Sequence, residues 1–470
     1  MEPKQRNRIL LVLFLGVLMG ALDIAIVGPA IPAIRSTFGV DDRLTAWIFS
    51  IYVLFNLIGT PLMAKLSDQF GRRMVYVVDV VLFAAGSLLV ALAPSFAFVL
   101  AGRAVQGFGA GGIFPVASAV IGDTFPPEKR GSALGLIGAV FGVAFMVGPI
   151  LGGVLLMAGW SWLFLVNLPF AAVVIWLSLR TLPAKRPAAT GRLDWPGLLV
   201  LAGGLSSLAI AVNQFDTGHV LNSLLSLNVL PFLVLAVILA FVFVAIERRA
   251  ANPAVRLDLF TNRQMVLAYI LSLGAGIGES GLVFMPSLAV GAFNLKNSEA
   301  SFLLIPLVLA MAVVSPVIGR MLDRYGSKVV VFSGTFLLVA GMFVLGGLGA
   351  AGIGLFLLAG VLVGGGLSSL LGAPIRYIML NEAAPGDRSV AQGVTTLSGS
   401  VGQLIGGALV GAVAASSADS VAGYSNAYLV VGVLSIILIL AASQLKNRAS
   451  ELATTAAHKQ AAEAAGSPAA

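Results

Sequence analysis

Hydrophobic residues along this chain fall into long unbroken blocks instead of alternating with polar ones. From Ile9 to about Ile34 nearly every position is apolar. Further blocks follow near 45–66, 74–93, 97–121, 132–157, 160–180, 196–215 and 225–246, then near 264–290, 299–321, 329–349, 352–376, 389–415 and 424–445. Charged or Gly/Pro-rich interruptions separate them, and each matches the roughly 20 residues a helix needs to cross a bilayer. The pattern predicts an all-α integral membrane protein with fourteen transmembrane helices. Lys4, Arg6 and Arg8 precede the first block, which is too long for a signal-peptide core and lacks a small-residue cleavage site, so it reads as a retained helix.

Composition agrees with this picture. Of 470 residues, 59% are hydrophobic and 10% charged, with a mean hydropathy of +1.01, whereas a soluble domain carries about a quarter charged residues. The net charge of +8 would suit a nucleic-acid partner only if the basic residues shared one surface. They fall instead in alternate loops, including Arg72, Arg73, Lys185, Arg186, Arg192, Arg256, Arg263 and Lys459. Of the 28 basic residues, only Arg35, Arg43 and Lys296 fall on the other side, and Arg103 lies within a block. That asymmetry is the positive-inside pattern and places both termini in the cytoplasm. The expected location is the cytoplasmic membrane of a bacterial cell, with no nucleic-acid partner. The chain has no cysteine, which excludes disulfide and thiolate chemistry. His219 in an outer loop and His458 in the tail read as solvated.

An internal repeat organises the blocks. AKLSDQFGRR (64–73) matches GRMLDRYGSK (319–328), placing Asp68 and Asp323 in correspondence. The simplest account is two pseudo-symmetric six-helix bundles, 1–186 and 261–448, joined by an inserted helix pair with its linkers, 187–260. The Ala-rich tail, 449–470, is expected to be disordered.

Three acids interrupt the apolar blocks, where even a lenient scale sets Asp at about +2.5 to +3.5 kcal/mol. Asp79 lies near the cytoplasmic end of its helix, within reach of Arg72 and Arg73, and reads as structural. Asp23 and Glu279 are related by the repeat to within one residue, GALD aligning with GIGE. Each sits ~22 Å from the cytoplasmic start of its helix at 1.5 Å per residue. They read as partners facing a midplane cavity, with Asn56 at matching depth and Arg103 close enough to reach Asp23. A static Asp23–Arg103 ion pair orienting two helices is the competing reading.

The stretches that carry chemistry resemble the major facilitator superfamily, and within it the fourteen-helix drug:proton antiporters. AKLSDQFGRR is similar to that family's loop signature between helices 2 and 3, with GRMLDRYGSK as its second-half echo. LAGRAVQGFGAGG (100–112) resembles its fourth-helix motif, with Arg103, Gln106 and Gly107 in place. GLIGAVFGVAFMVGPILGGVL (135–155) resembles the fifth-helix antiporter motif, and LDIAIVGPAIP the first-helix motif. Ala64, Ala144, Ala25 and Gly28 depart from the family pattern. The resemblance implies a proton-coupled exporter working by alternating access. From the repeat and from depth, Asp23, Glu279 and Arg103 read as its proton-coupling residues and Asn56 and Gln106 as lining the cavity, although Glu279 is less typical of the family. The resemblance also implies a cytoplasmic latch between the halves built on Asp68, Arg72 and Asp123, with Gly71, Arg73, Asp323, Arg324 and Gly326 completing the two gate turns. For Arg72 and Arg73 the simpler alternative is topology alone. Gly148, Pro149, Gly152 and Gly153 read as a kink and a smooth packing face.

The expected substrate is an amphipathic or cationic small molecule, with protons and the bilayer as the other partners and a monomeric chain. A lipid or glycolipid flippase and a nontransporting sensor on the same scaffold are the alternatives. No nucleophile, metal-ligand cluster or Walker loop occurs, so neither an enzyme nor a cofactor is expected.

Overall fold

A computed structural model describes residues 3–184, 195–250, 257–383 and 388–454. Fourteen long helices follow in order. The first eight are α1 (Pro3–Phe38), α2 (Asp42–Phe70), α3 (Arg72–Ala91), α4 (Phe96–Thr124), α5 (Pro127–Leu156), α6 (Ser161–Thr181), α7 (Trp195–Asn213) and α8 (Leu230–Glu247). The remaining six are α9 (Arg263–Phe293), α10 (Asn297–Tyr325), α11 (Ser327–Leu348), α12 (Ile353–Glu382), α13 (Arg388–Ala415) and α14 (Ser420–Ser443). Thirteen are long and apolar enough to cross a membrane over their described residues, and α5 contributes a further apolar stretch at Val147–Leu156. No strand occurs among the described residues; each helix satisfies its own peptide groups, as a backbone in lipid must. Lys185, Arg186, Arg192, Arg256, His458 and Lys459 lie outside the described residues.

The helices start and stop where local chemistry dictates. Asp41 Oδ1 accepts the Leu44 amide at 2.7 Å and caps α2, satisfying one of its orphan donors. Gly71 ends that helix at φ +96°, and Gly326 ends α10 at φ +84°, so both copies of the repeat turn on a glycine. At Gly326 ψ is 174°, a region essentially reserved for glycine, where a side chain costs about 1–3 kcal/mol. Gly326→Ala is therefore expected to lower the unfolding temperature in detergent, and an unchanged melting curve would refute the strain. α6 breaks at Val166, α10 at Leu303 and Leu304, and α12 at Gly372.

Contacts divide the chain into two compact units. One contains residues 1–254, 282–305 and 407–424. In it α4 is the centre, and its glycines bring backbones together. A Cβ at Gly107 would strike the Tyr52 carbonyl on α2, one at Gly111 the Asn56 carbonyl, and one at Gly109 the Asp79 carbonyl on α3. Small residues permit this approach in membranes, where lipid tails offer helices no hydrophobic drive to associate. The inserted pair lies at the margin of this unit: α7 joins α2 through the Trp47 indole donating to Asn213 Oδ1 at 2.9 Å, while α8 is largely exposed.

The other unit contains residues 255–281, 306–406 and 425–470. α11 and α12 pack through Gly334, Gly341 and Gly366. The tail does not begin as expected. Residues 448–454 are helical and Glu451 is buried, because its carboxylate accepts the Ser327 amide at 3.1 Å. The rest of the tail lies outside the described residues.

Candidate functional site

Asp23 sits at the centre of a closed polar network in the first unit. Arg103 Nη1 donates to Asp23 Oδ2 at 2.6 Å, and both side chains are fully buried. Gln106 Nε2 donates to Asp23 Oδ1 at 2.7 Å and to Ser87 Oγ at 2.8 Å. Asn167 Nδ2 donates to the same Asp23 oxygen at 3.0 Å. Arg103 also gives Nη1 to Gln106 Oε1 at 2.6 Å and Nε to the Ile48 carbonyl at 3.0 Å. Its guanidinium lies 4.1 Å from the Tyr52 ring centroid, a cation–π contact that strengthens with desolvation. One carboxylate on α1 thus ties α4 and α6 through charge-assisted bonds, each roughly twice as strong as a neutral one, while α3 joins at second hand, Ser87 Oγ accepting from both Gln106 and Asn167.

The local sequence explains the assembly. Arg103 and Gln106 are three apart on α4 and share a face; Gly102 and Gly107 beside them bring α3 and α2 close enough to close the cage. Ser87, Asn167 and Tyr52 were not anticipated from sequence. Asn167 lies six residues into α6 and Arg103 seven into α4, so polar residues at equal depth were the available signal. Replacing Asn167 by leucine removes a donor from a buried carboxylate, worth about 1.5–3 kcal/mol for a charged acceptor. A matching loss in unfolding free energy is expected; Asn167→Ser should be milder.

Asn56 and Asp79 are placed differently from expectation. Asn56 is half-buried and makes no side-chain bond to the network; α2 presents Tyr52, one turn away, to Arg103 instead. Asp79 is fully buried, with neither carboxyl oxygen hydrogen-bonded among the described residues, and lies against Gly112 of α4. The expected reach to Arg72 and Arg73 is not made, because both are engaged elsewhere. Arg72 Nε binds Asp123 at 3.0 Å, Nη1 pairs with Asp68, and Nη1 donates to Ser67 Oγ at 2.6 Å. Arg73 donates to the Leu179 carbonyl at 3.2 Å. The Asp68, Arg72 and Asp123 trio therefore closes within the first unit, tying α2, α3 and α4. In the second copy, Asp323 and Arg324 are exposed, and Arg324 rests over the Tyr325 ring.

In the other unit, half-buried Glu279 accepts Gln403 Nε2 at 2.7 Å, a neutral partner where Asp23 has an arginine. The fifth-helix residues pack as a face: a Cβ at Gly148 would strike Ala25, one at Gly152 would meet Pro29, and one at Gly153 would strike Phe302. The Pro149 carbonyl accepts Ser301 Oγ at 2.7 Å. At one end of this first unit, Arg35 binds Asp42 at 2.7 Å. Tyr424 Oη donates to Asp42 at 2.8 Å, and Ser420 Oγ joins both. In the loop after α7, the Gly218 amide, then His219, holds the Asp216 carboxyl below its usual range.

The family model of the Major Facilitator Superfamily matches residues 13–247 and 268–466. The chain belongs to the major facilitator superfamily. Among superfamily members, an uncharacterised MFS-type transporter of Bacillus subtilis is 30% identical over 435 residues, 91% of this chain and 83% of that protein. Multidrug resistance protein 3 of the same organism is 31% identical over 68% of this chain, which spans 62% of that relative's length. Multidrug resistance protein Stp of Mycobacterium tuberculosis is 29% identical over 86% of this chain and 74% of its own. A POT family transporter crystallised with 5-aminolevulinic acid shares the fold at a TM-score of 0.67 and 16% identity, covering 92% of this chain and 94% of its own. This superfamily member is a multi-pass membrane transporter.

Proposed function

We propose that the chain is a proton-driven exporter of amphipathic or cationic small molecules, embedded in a bacterial cell membrane with both termini cytoplasmic. The observation that carries this reading is the buried Asp23 carboxylate held by Arg103, Gln106 and Asn167. Four helices converge on one ionisable group, so a change in its charge is felt by all of them. Buried ion pairs are weak stabilisers, and intramembrane acids are by default functional. The names of the multidrug relatives support the substrate class.

In the proposed cycle, a proton reaching Asp23 neutralises it and releases Arg103. Arg103 Nη2 and the Tyr52 hydroxyl, both unbonded among the described residues, supply spare donors for the rearranged pair. Glu279 plays the corresponding part in the other unit, with a looser hold. Substrate binds from the cytoplasm or inner leaflet once the proton has left, and rocker-switch motion carries it out. The membrane field contributes about 2.3 kcal/mol per charge per 100 mV, enough for one proton to drive a neutral substrate uphill. The Arg72 trio and the Gly326 turn form the cytoplasmic gate elements.

Proteoliposomes test this directly. Wild type is expected to move protons on addition of a lipophilic cation, and Asp23→Asn and Glu279→Gln to lose that coupling. Undiminished gradient-driven export by the double variant would sink the proposal, and lipid translocation without a response to cations would favour a flippase.

The Arg35–Asp42–Tyr424 knot is the proposed outer closure. Asp42→Asn removes about 1.5 kcal/mol of charge-assisted bonding, a tenfold bias toward outward opening. The chain has no cysteine, so a single cysteine at Ser50 can be labelled without background. Its rate should rise about tenfold in the variant; an unchanged rate would remove the knot from the cycle.

A further inference from the structure

The two copies of the loop signature turn alike but are held differently. In the first, Gly71 is followed by Arg72, whose guanidinium joins Asp68, Ser67 and Asp123. In the second, Gly326 is followed by Ser327, which has no charge to offer. The C-terminal segment occupies that role. Arg448 Nη2 donates to the Asp323 carbonyl at 2.9 Å, and Nη1 to Tyr377 Oη of α12 at 2.8 Å. Glu451, 5% exposed, accepts the Ser327 amide at 3.1 Å and also its hydroxyl, placing a carboxylate where the first amides of α11 are unpaired and the helix dipole is positive. A Cβ at Gly326 would lie 3.1 Å from Arg448 Cβ, so the glycine serves the docking as well as the turn. Lys446 anchors the segment's start, binding Glu382 at 2.6 Å and Thr454 Oγ1 at 3.0 Å.

We propose that Arg448 and Glu451 are positioning residues of the second gate turn, supplying from the chain's C-terminal end the ionic hold that the second loop copy lacks. The segment sets the rate at which the α10–α11 turn rearranges during transport. This rests on the transporter reading for its role in turnover, but the hold itself is measured without any substrate.

The test uses the full chain in nanodiscs and proteoliposomes. Glu451→Ala and Arg448→Ala should each raise amide hydrogen exchange across residues 323–330 about tenfold while leaving residues 68–75 unchanged. Glu451→Gln, whose amide oxygen still accepts from Ser327, should restore most of the protection. In transport, both alanine variants should change maximal rate several-fold with substrate KM preserved. Unchanged exchange at 323–330 would overturn the proposal, as would equal acceleration at both turns with a lower unfolding temperature, which marks general loosening. Exchange that responds while maximal rate does not would overturn the role in turnover. Absence of export by wild type would count against the exporter reading alone, with the exchange result still deciding the hold.

Discussion

Replacing Arg103 by methionine is expected to destabilise the protein by about 3–5 kcal/mol, the cost of leaving a buried charge without its partner, and to abolish export. The Met side chain keeps the apolar stem over Tyr52 but removes the donors to Asp23, Gln106 and the Ile48 carbonyl. Asp23→Asn in the methionine background removes the stranded charge as well. Because both side chains belong to one network, the double variant should be more stable than the sum of the single effects by at least 1 kcal/mol, within the range of coupling for contacting residues. Unfolding in detergent measures all four corners of the cycle. Additivity within about 0.5 kcal/mol would show that the pair contributes little in place, however short its bond.

The second large effect belongs to a residue with no side chain. At Gly107 a Cβ would lie 2.9 Å from Tyr52 Cα and nearer still to the carbonyl oxygen, and backbone cannot rotate aside as a side chain can. Gly107→Val should therefore yield no folded protein, and Gly107→Ala a protein weakened by more than the about 1–3 kcal/mol of ordinary overpacking. The gain in helix propensity, up to about 1 kcal/mol, is too small to offset that. Gly122 provides the internal control. It lies on the same helix with nothing within 4 Å of its Cβ position, so Gly122→Ala should be neutral or slightly stabilising. Monodispersity of each variant on size exclusion reports the difference, and a well-folded Gly107→Val would refute the close approach.

Much of this arrangement was legible before any coordinates. Runs of apolar residues fix membrane helices because lipid offers the backbone no alternative partner, and the glycine in each loop copy marks a turn that other residues disfavour. The proximity of Asp23 and Arg103 was readable too, since an acid and a base buried at compatible depth have few other ways to be tolerated. Ser87 and Asn167 were hidden because small polar side chains are common in membrane helices and nothing in one sequence tells which face they take. Asn56 misled for the same reason, as depth without rotation does not define a contact. Asp79 looked accessible to Arg72 and Arg73 by position along its helix, but Arg72 is engaged by Asp68 and Asp123 and Arg73 by the Leu179 carbonyl. The role of Arg448 and Glu451 depends on a return of the chain to a turn more than a hundred residues earlier, and an Ala-rich composition gives no hint of that.

Helices separated by a layer of side chains can slide past each other by switching rotamers, which is how shear motions proceed. Where Gly107, Gly109 and Gly111 set one main chain directly upon another, no such lubricating layer exists. Around these crossings, helices α2, α3 and α4 must then travel as a single plank. Bending within this unit falls to the proline positions outside those crossings, Pro29 and Pro32 in α1, Pro61 in α2, Pro115 in α4 and Pro149 in α5, where missing ladder bonds make the rod pliable.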